Sequence, residues 1–388
     1  MTRYRLTVLT PLLAGDGQRL APIDYMVWKD QVNVLDQKKI FRLLAKSPRL
    51  DSYLSQIRRA DKLDFNSWGG YAQNYALRRI PLESPLLSRV FERALPEQLF
   101  LPTFAVAPSG GIYVPATALK GVMRTALLAA RLNPAHWSML ADKLEAAERS
   151  PRAPAEILES AALGSHGQAR TRGILLADSE PRHAGGLTKI YLTRTATLVD
   201  RGGRVELGWK LAPRGTVEGR RVSDATPLLA EMAIPGTVFE GTLAEPAFFG
   251  QTETLRALNW KESPGPLRYA AAANALAARI LSSQRKWAEV AGLSSVLRSI
   301  DILEQRRKDL ESSASGCLVC LGWGTGYLAK AAEPDTTQPD AARALKALPV
   351  TAGPARSGLP FPKTRRVVFS GEQPATLPGW AALQFDIS

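Results

Sequence analysis

One stretch constrains the fold of this chain more than any other: residues 113–128, which read YVPATALKGVMRTALL. An apolar strand end leads into Pro115, and apolar residues then recur with the period of an amphipathic helix. Thr117 is the predicted N-cap, because its hydroxyl can accept a hydrogen bond from an amide one turn into the helix. Lys120 and Arg124 are four residues apart and therefore share one helix face. The stretch predicts a strand, a turn and a helix with a basic face.

Gly121 lies inside this predicted helix and is unfavourable there. A helical glycine costs about 1 kcal/mol relative to alanine, which indicates that another backbone, of protein or nucleic acid, comes close. A helix N-terminus with free amides and two cations one turn apart suits a chain of phosphates. The alternative is an ordinary amphipathic surface helix with a solvated basic face. The stretch by itself leaves both interpretations open.

The chain of 388 residues carries an excess of basic side chains. Lys and Arg number 50 against 36 Asp and Glu, a formal net charge of +14, while 45% of the residues are hydrophobic. That hydrophobic share is typical of a soluble globular protein, and the length favours two domains. The positive field attracts polyanions, of which nucleic acid is the commonest in cytoplasm, where we expect the protein. No apolar run of about 20 residues occurs and the N-terminal segment does not resemble a signal peptide, so we expect no membrane partner.

The N-terminal segment predicts a strand, a glycine loop, a hairpin and a helix in that order. The alternating strand runs into LLAGDG, where Gly15 and Gly17 permit a tight turn with exposed amides. Two short strands follow around a polar turn near Lys29–Gln31. Asp36 is the predicted cap of the helix that comes next.

The middle of the chain is rich in arginine and glycine. Residues 164–222 contain eleven Lys or Arg against five Asp or Glu, and little that could form a core. We predict a helical insertion at about 134–165, and a flexible basic hairpin or arm at about 200–222 that orders on nucleic acid. The composition changes near Leu228, which favours a domain boundary just before it. The predicted domains are 1–225 and 226–388.

The second half predicts a strand pair, two long helices and a second glycine-rich loop. An apolar segment, CLVCLGW, leads into Gly322, Gly324 and Gly326. Lys330 follows, and a stretch rich in proline and alanine at 331–362 is predicted to be a loop insertion. The loop lacks the Gly-Lys-Ser/Thr ending of a nucleotide-binding loop. It is either a turn packed on its own sheet or a turn that exposes amides to a nucleic-acid backbone.

Candidates for catalysis are few. The sequence has no Ser/His/Asp set, no HExxH motif and no paired carboxylates. Cys317 and Cys320 lie in an apolar run, which favours buried structural cysteines over metal or redox use. His183, near Asp178, could act as acid or base in a metal-independent ribonuclease, and Asp16 could be a nuclease carboxylate. A polar loop and a glycine turn are the simpler interpretations, so we predict no catalytic residue, no metal and no cofactor.

Five segments, taken together, resemble one protein family. They are LTPLLAGDG (9–17), VPATALKGVMRTAL (114–127), LLADSE (175–180), LGWGTGYLAK (321–330), and PKTRRVVF with LPGWAAL (362–383). On these residues the chain resembles the RAMP superfamily of CRISPR proteins, and within it the family of fifth Csm subunits of type III-A effector complexes. The segments span almost the whole chain, and the Lys-Gly helix and the terminal Pro-Lys-Thr-Arg-Arg are the more specific of them.

The resemblance implies an α+β protein of two ferredoxin-like, RRM-related modules with helical and loop insertions. It implies one copy in a ribonucleoprotein, capping the backbone near the 3′ part of the guide RNA (crRNA) and supporting guide maturation without cutting. The implied partners are the crRNA, a neighbouring RAMP backbone subunit, the small helical subunit and host nucleases. A guide-trimming endoribonuclease and a sister subunit, either a backbone piece or a 5′-handle binder, remain as alternatives.

The resemblance also assigns roles to residues. It makes Lys120 and Arg124 contacts to guide phosphates, and it makes the second glycine loop and the basic C-terminal cluster further contacts. With the residues selected by charge and glycine content, the predicted RNA-binding residues are Gly15, Gly17, Lys120, Gly121, Arg124, Arg170, Arg172, Arg194, Gly322, Gly324, Gly326, Lys330, Lys363, Arg365 and Arg366.

Overall fold

The computed structural model combines helices with antiparallel sheets, in agreement with the predicted α+β class. It describes residues 2–59, 72–147, 151, 153–165, 168–183, 185–212, 217–261, 266–314, 316–333, 338–349, 351–352 and 358–386. The strands are β1 (Thr2–Val8), β2 (Arg19–Leu20), β3 (Tyr25–Trp28), β4 (Gln31–Leu35), β5 (Ala76–Pro81), β6 (Leu101–Pro102), β7 (Leu175–Leu176), β8 (Thr188–Arg201), β9 (Arg204–Lys210), β10 (Glu218–Gly219), β11 (Leu228–Ala233), β12 (Val238–Ala244), β13 (Gly316–Cys320), β14 (Thr364–Ser370), β15 (Gln373–Thr376) and β16 (Trp380–Asp386). The helices are α1 (Gln37–Leu44), α2 (Leu50–Arg59), α3 (Leu87–Arg93), α4 (Ala116–Arg131), α5 (Pro134–Ala146), α6 (Pro154–Leu163), α7 (Thr252–Ala257), α8 (Pro266–Ala291), α9 (Ser294–Ser312) and α10 (Pro339–Ala347).

The central sheet is built around β1, the first strand of the chain. Its strand order is β13-β16-β1-β12-β7, and β1 pairs antiparallel with both β12 and β16. Tyr4, Leu6 and Val8 alternate along β1 and are buried, as the period of a half-covered strand requires. Helix α8 packs on β13, and α4 packs on α8. The helix of the 113–128 stretch is therefore held against the central sheet through α8.

The N-terminal hairpin and its helix cap are confirmed. Strands β3 and β4 pair antiparallel across a two-residue turn in which Lys29 takes a φ of 54°. Asp36 caps α1, because its carboxylate accepts a hydrogen bond from the Lys39 amide at 3.0 Å. These predictions needed only residues that are close in sequence.

In the second large sheet the predicted basic segment is a hairpin of β8 and β9, so the alternative of a flexible arm was wrong. The strand order of this sheet is β10-β9-β8-β14-β15, with β11 also paired to β8. The segment forms β9 and β10, and residues 213–216 lie outside the described residues. Leu198 on β8 and Trp209 on β9 are buried in the main hydrophobic core, and β9 contacts α8. Apolar residues that alternate with the arginines therefore contribute to the core, which the composition of the segment did not indicate.

The two insertions dock on each other. The segment predicted as a helical insertion at about 134–165 forms α5 and α6, whereas the segment predicted as a loop insertion at 331–362 contains a helix, α10. Trp137, Leu158 and Ala341 belong to a small hydrophobic cluster, separate from the main core, that joins these helices. Arg343 on α10 pairs with Asp142 and, at 2.9 Å, with Glu145 on α5. We call α5, α6 and α10 the helical wall.

Both large sheets combine strands from the two sides of residue 226. In the central sheet β1 lies between β12 and β16, and in the second sheet β8 lies between β9 and β14. The domain boundary at 225/226 and the division into two ferredoxin-like modules remain predictions. The pairing does show that the two predicted halves share their sheets.

Candidate nucleic-acid interface

The two glycine-rich loops that the sequence singled out lie against each other. The Trp323 amide donates a hydrogen bond to the Leu13 carbonyl at 2.9 Å. Gly322 takes a φ of +93°, and a Cβ atom there would lie 2.3 Å from the same carbonyl oxygen. Only glycine fits this position, because both the backbone conformation and the contact exclude a side chain. The loops at 13–17 and 322–326 therefore form one surface, the glycine-loop surface.

The C-terminal Gly-Trp pair locks onto the same surface. The Gly379 amide donates to the Pro11 carbonyl at 3.0 Å, and the Gly379 carbonyl accepts from the Leu321 amide at 2.8 Å. A Cβ atom on Gly379, whose φ is +93°, would lie 2.3 Å from Cγ2 of Thr325. Three segments that resemble the RAMP family are thus joined by backbone contacts.

The N-terminus of α4 differs from the prediction. The N-cap is Pro115, which makes no capping hydrogen bond with its side chain, so the predicted Thr117 cap was wrong. The Asp178 carboxylate accepts from the Ala116 amide at 2.7 Å instead. A carboxylate of the protein itself therefore occupies the first turn of the helix, where free amides had been predicted to meet phosphate.

Lys120 and Arg124 share one face of α4 as predicted, and both have partners. The Lys120 ammonium donates to the Ile174 carbonyl at 3.2 Å, and the Arg124 guanidinium forms an ion pair with Glu159 on α6. The Arg124 side chain is 50% exposed. Both residues line a cavity of about 460 Å³ that Arg172 also lines. This helix face is accessible, but a carboxylate of the protein already neutralises part of its charge.

Gly121 faces open space. A Cβ atom added there would meet no atom within 4 Å, so none of the described parts of the protein requires a glycine at this position. The residue lines a larger cavity of about 760 Å³, which we call the main groove. One side of the groove is the glycine-loop surface with α4, and the other is the helical wall. Because Gly121 has no side chain, the surface of α4 at this position is open to the groove.

A second cavity, the C-terminal cleft, gathers cations without carboxylates. It has a volume of about 350 Å³, and its lining includes Lys330, Arg365 and Arg366 but no Asp or Glu among the described residues. Arg365 is only 7% exposed and lies 5.5 Å over the Trp287 ring. Within the described part of the chain, Nε and Nη2 of Arg365 and Nη1 of Arg366 are buried without a hydrogen-bond partner.

Desolvation affects both of these guanidinium groups. It lowers the pKa of Arg365 to about 9 and that of Arg366 to about 10. Both stay protonated at neutral pH, so the folded protein holds one buried and one half-buried cation whose donors are not fully used. Unmade hydrogen bonds of this kind cost about 1–3 kcal/mol each.

The three cavities adjoin one another. Thr325, Tyr327 and Lys330 line both the main groove and the C-terminal cleft. Gly121, Arg124 and Glu159 line both the main groove and the 460 Å³ cavity beside α4. The predicted residues Gly15, Gly17, Gly322, Gly324 and Gly326 also lie along this series. The result is one extended surface with cations at both ends.

No protein-family model matches the sequence, and no curated protein matches it. Solved structures do match over nearly the whole chain. A chain of the cryo-EM structure of a Csm-crRNA-target RNA ternary complex of a type III-A CRISPR-Cas system aligns with a TM-score of 0.68 and 19% identity, covering 99% of this chain and 100% of that one. The chain has the fold of a Csm subunit. Csm5 from T. onnurineus aligns with a TM-score of 0.59 and 15% identity, covering 97% of this chain and 99% of that one.

Three predicted contacts lie away from the surface or serve the Csm-like fold itself. Arg170 is buried and lies 6.0 Å over the Trp260 ring. Arg194 donates to the Val222 carbonyl and, at 2.7 Å, to the Ala225 carbonyl, which fastens the segment after β10 to β8. Lys363 lines none of the three cavities.

Sequence reasoning missed one residue that the Csm-like fold places at the centre of the surface. Trp323 lines the main groove, and the Arg366 guanidinium lies 4.0 Å from the centroid of its ring. An aromatic residue between two glycines was the signal that could have found it. The ring also packs against a small hydrophobic cluster that includes Leu13 and Val368.

The candidate catalytic groups have local structural roles. Asp16 accepts from the Gln18 amide at 3.0 Å, as a turn residue does, and Asp178 caps α4. His183 is exposed beside Gly111. Within the described ranges, no group of three or more His, Cys, Asp or Glu residues is arranged to hold a metal ion.

Two further predictions concern the cysteines and the membrane. Cys317 and Cys320 are unpaired and buried on β13, and burial raises the pKa of the Cys317 thiol to about 12. The interpretation as buried structural residues is confirmed. None of the helices that the structure describes is long and apolar enough to span a membrane.

Proposed function

We propose that the protein is a guide-RNA-binding subunit of a type III CRISPR effector ribonucleoprotein, and that it binds RNA without cutting it. The Csm-like fold and the extended cationic surface support the first part. Asp16 stabilises a turn and Asp178 caps α4, which favours binding without cutting. In this proposal the protein caps the backbone near the guide 3′ end, beside a RAMP backbone subunit and the small helical subunit.

One observation carries the proposal: a buried arginine, Arg365, and a half-buried one, Arg366, line the C-terminal cleft together. Arg365 and Arg366 line a cleft with Lys330 and without any described carboxylate, and three of their nitrogen atoms are unpartnered. Planar guanidinium donors match the oxygens of a phosphate group. A phosphate in the cleft would therefore meet the positive charge of both guanidinium groups, and no carboxylate of the described residues lines the cleft to compete with it.

A polymer fits the surface better than a single anion. The cleft continues into the main groove and then into the cavity beside α4, where Lys120, Arg124 and Arg172 supply more positive charge. A single-stranded RNA backbone follows such a cationic track, and the net charge of +14 favours its approach.

The experiment that tests the proposal is reconstitution of a Csm complex in which this chain carries an affinity tag. The crRNA should contain 4-thiouridine at single positions, so that crosslinking reports which nucleotides touch the tagged subunit. We expect one copy per complex and crosslinks confined to the 3′ part of the guide. Several copies would identify a backbone subunit, and crosslinks at the 5′ handle would identify the other sister subunit.

Absence of cutting is tested separately, with the purified protein and labelled precursor RNA in the presence of a chelator. We expect intact RNA. Cleavage that His183→Ala abolishes would instead favour the metal-independent endoribonuclease and contradict this part of the proposal.

A further inference from the structure

We infer that the main groove binds a nucleobase, which turns out of the RNA strand and stacks on Trp323. The inference rests on the proposed function and deepens it, because it assigns the phosphates and a base to different cavities. Nothing in the net charge or the glycine content pointed to a base site.

Trp323 is held rigidly at the boundary between two cavities. Its amide is bonded to the Leu13 carbonyl, and Gly322 before it cannot be replaced without a clash against that carbonyl. Arg366 lies 4.0 Å from the ring centroid, which is close for a cation over an aromatic face. The ring remains partly exposed and lines the main groove. A fixed, partly exposed indole is a suitable platform for stacking a base.

The chemistry of the main groove differs from that of the C-terminal cleft. Leu128, Leu140 and Leu158 line the groove, together with Leu345 on the helical wall. These apolar side chains suit a base, which is flat and apolar on its faces, while Arg19 and Lys330 in the same lining can attract the phosphates of the backbone. The volume of about 760 Å³ lies in the range of about 300–1,000 Å³ that is usual for ligand pockets.

The edge of a base would also find partners in the groove. Gln18 and the hydroxyl residues Thr125 and Thr351 line it. These side chains can donate to or accept from the polar edge of a base. The groove therefore combines an aromatic platform, apolar walls and a few polar groups, which is the usual composition of a nucleobase pocket.

Arg366 connects the two cavities. Its side chain lines the C-terminal cleft, and its guanidinium stacks on the tryptophan that lines the groove. A phosphate held by Arg366 would place the attached nucleotide beside Trp323. The geometry thus points to one nucleotide with its phosphate in the cleft and its base in the groove.

The test uses single-stranded RNAs of guide length that carry 2-aminopurine at one position each. Fluorescence of this base analogue is quenched when it stacks on an indole. We expect at least one position to be quenched by the wild-type protein, to recover in Trp323→Ala, and to stay quenched in Trp323→Phe. The RNA affinity of Trp323→Ala should fall about 5- to 100-fold, the range for one lost base stack, and Trp323→Phe should retain most of it.

A matched control is Trp28→Ala, which removes an exposed tryptophan on β3 that does not line the three cavities. It should leave both affinity and quenching unchanged. Thermal melting of each variant separates a binding defect from a folding defect. The set of 2-aminopurine positions measured with wild-type protein requires no substitution at all.

Three outcomes would overturn the inference. If the wild-type protein binds the RNA and no position is quenched, the base site is wrong while the proposed function stands. If Trp323→Ala only reduces incorporation of the subunit into a complex, with RNA binding intact, the groove receives a protein segment. If the wild-type protein binds no RNA either alone or in the assembled complex, the inference and the proposed function both fail.

Discussion

The basic face of α4 and the C-terminal cleft both present cations, and they differ in what surrounds those cations. Arg124 on α4 is half exposed and paired with Glu159. In the cleft Arg365 is buried and Arg366 is half-buried, and both keep unpartnered nitrogen atoms. An exposed ion pair is worth about 0–1 kcal/mol, so releasing or keeping it changes little. The two arginines of the cleft have no carboxylate beside them among the described lining residues, so their charge is left for a ligand.

Local sequence spacing pointed to the basic face of α4, which is the more exposed of the two basic regions. The binding energy should instead concentrate in the cleft, because no carboxylate of the described residues lines it to compete with an incoming phosphate. The following substitutions test this difference, beginning with the largest expected effect.

The largest effect is expected from Arg365→Ala combined with Arg366→Ala. Loss of two charge-assisted phosphate contacts should weaken binding of guide-length single-stranded RNA about 100-fold at low salt. Fluorescence anisotropy over a salt series measures this, and the log–log salt slope should become shallower by about 1.4, or about 0.7 per lost phosphate contact.

The matched control for the cleft removes two exposed arginines, Arg93→Ala with Arg204→Ala, that line none of the three cavities. It changes the net charge equally and should cost only a small fraction of the affinity. Equal losses in the two double variants would mean that the cleft has no special role and that net charge alone drives binding.

An intermediate effect is expected from Gly121→Leu. A leucine has room in the groove and removes the helical glycine penalty of about 1 kcal/mol, so the melting temperature should not fall. The side chain obstructs the main groove, and RNA affinity should fall about tenfold, comparable to loss of one stacked base. Gly121→Ala is the control of smaller volume. Unchanged affinity of Gly121→Leu would show that the RNA does not pass along this part of α4.

The smallest effect is expected on the face of α4. Lys120→Ala with Arg124→Ala should weaken binding only about threefold, because Glu159 already holds Arg124. Glu159→Gln should strengthen binding by a similar factor of about 3, because it releases the guanidinium for phosphate. Anisotropy at low salt resolves both changes. A loss in the α4 variant as large as that in the cleft variant would reverse the ranking of the two regions.

Features set by neighbouring residues could be predicted from the sequence. Asp36 and the helix it caps, the β3–β4 hairpin, and the helix after Pro115 all depend on spacing within a few residues. The cap of α4 could not be predicted, because Asp178 is distant in sequence and displaced the local candidate Thr117. The contact between Trp323 and Leu13, which unites the glycine loops, is long-range in the same way.

Composition misled where it was used to predict order. The arginines and glycines of 200–222 indicated a flexible hairpin or arm. In the structure Trp209 is buried, and β9 lies between β8 and β10 in the second sheet. The prolines and alanines of 331–362 indicated a loop, but Ala341 and Ala344 are small enough to pack closely against α5. The predicted contacts on the glycine loops and in the C-terminal cleft lie along one surface. Arg194 instead fastens the segment after β10.

The central position of β1 has a consequence for how the protein is made. Arg3 lies opposite Asp386 in the pairing with β16, so the strand synthesised first must wait for one translated far later. Until then its neighbouring edge stays unpaired and exposed to other chains. Sheets that depend on such distant pairings form slowly. The central sheet should therefore close only after β16 has left the ribosome.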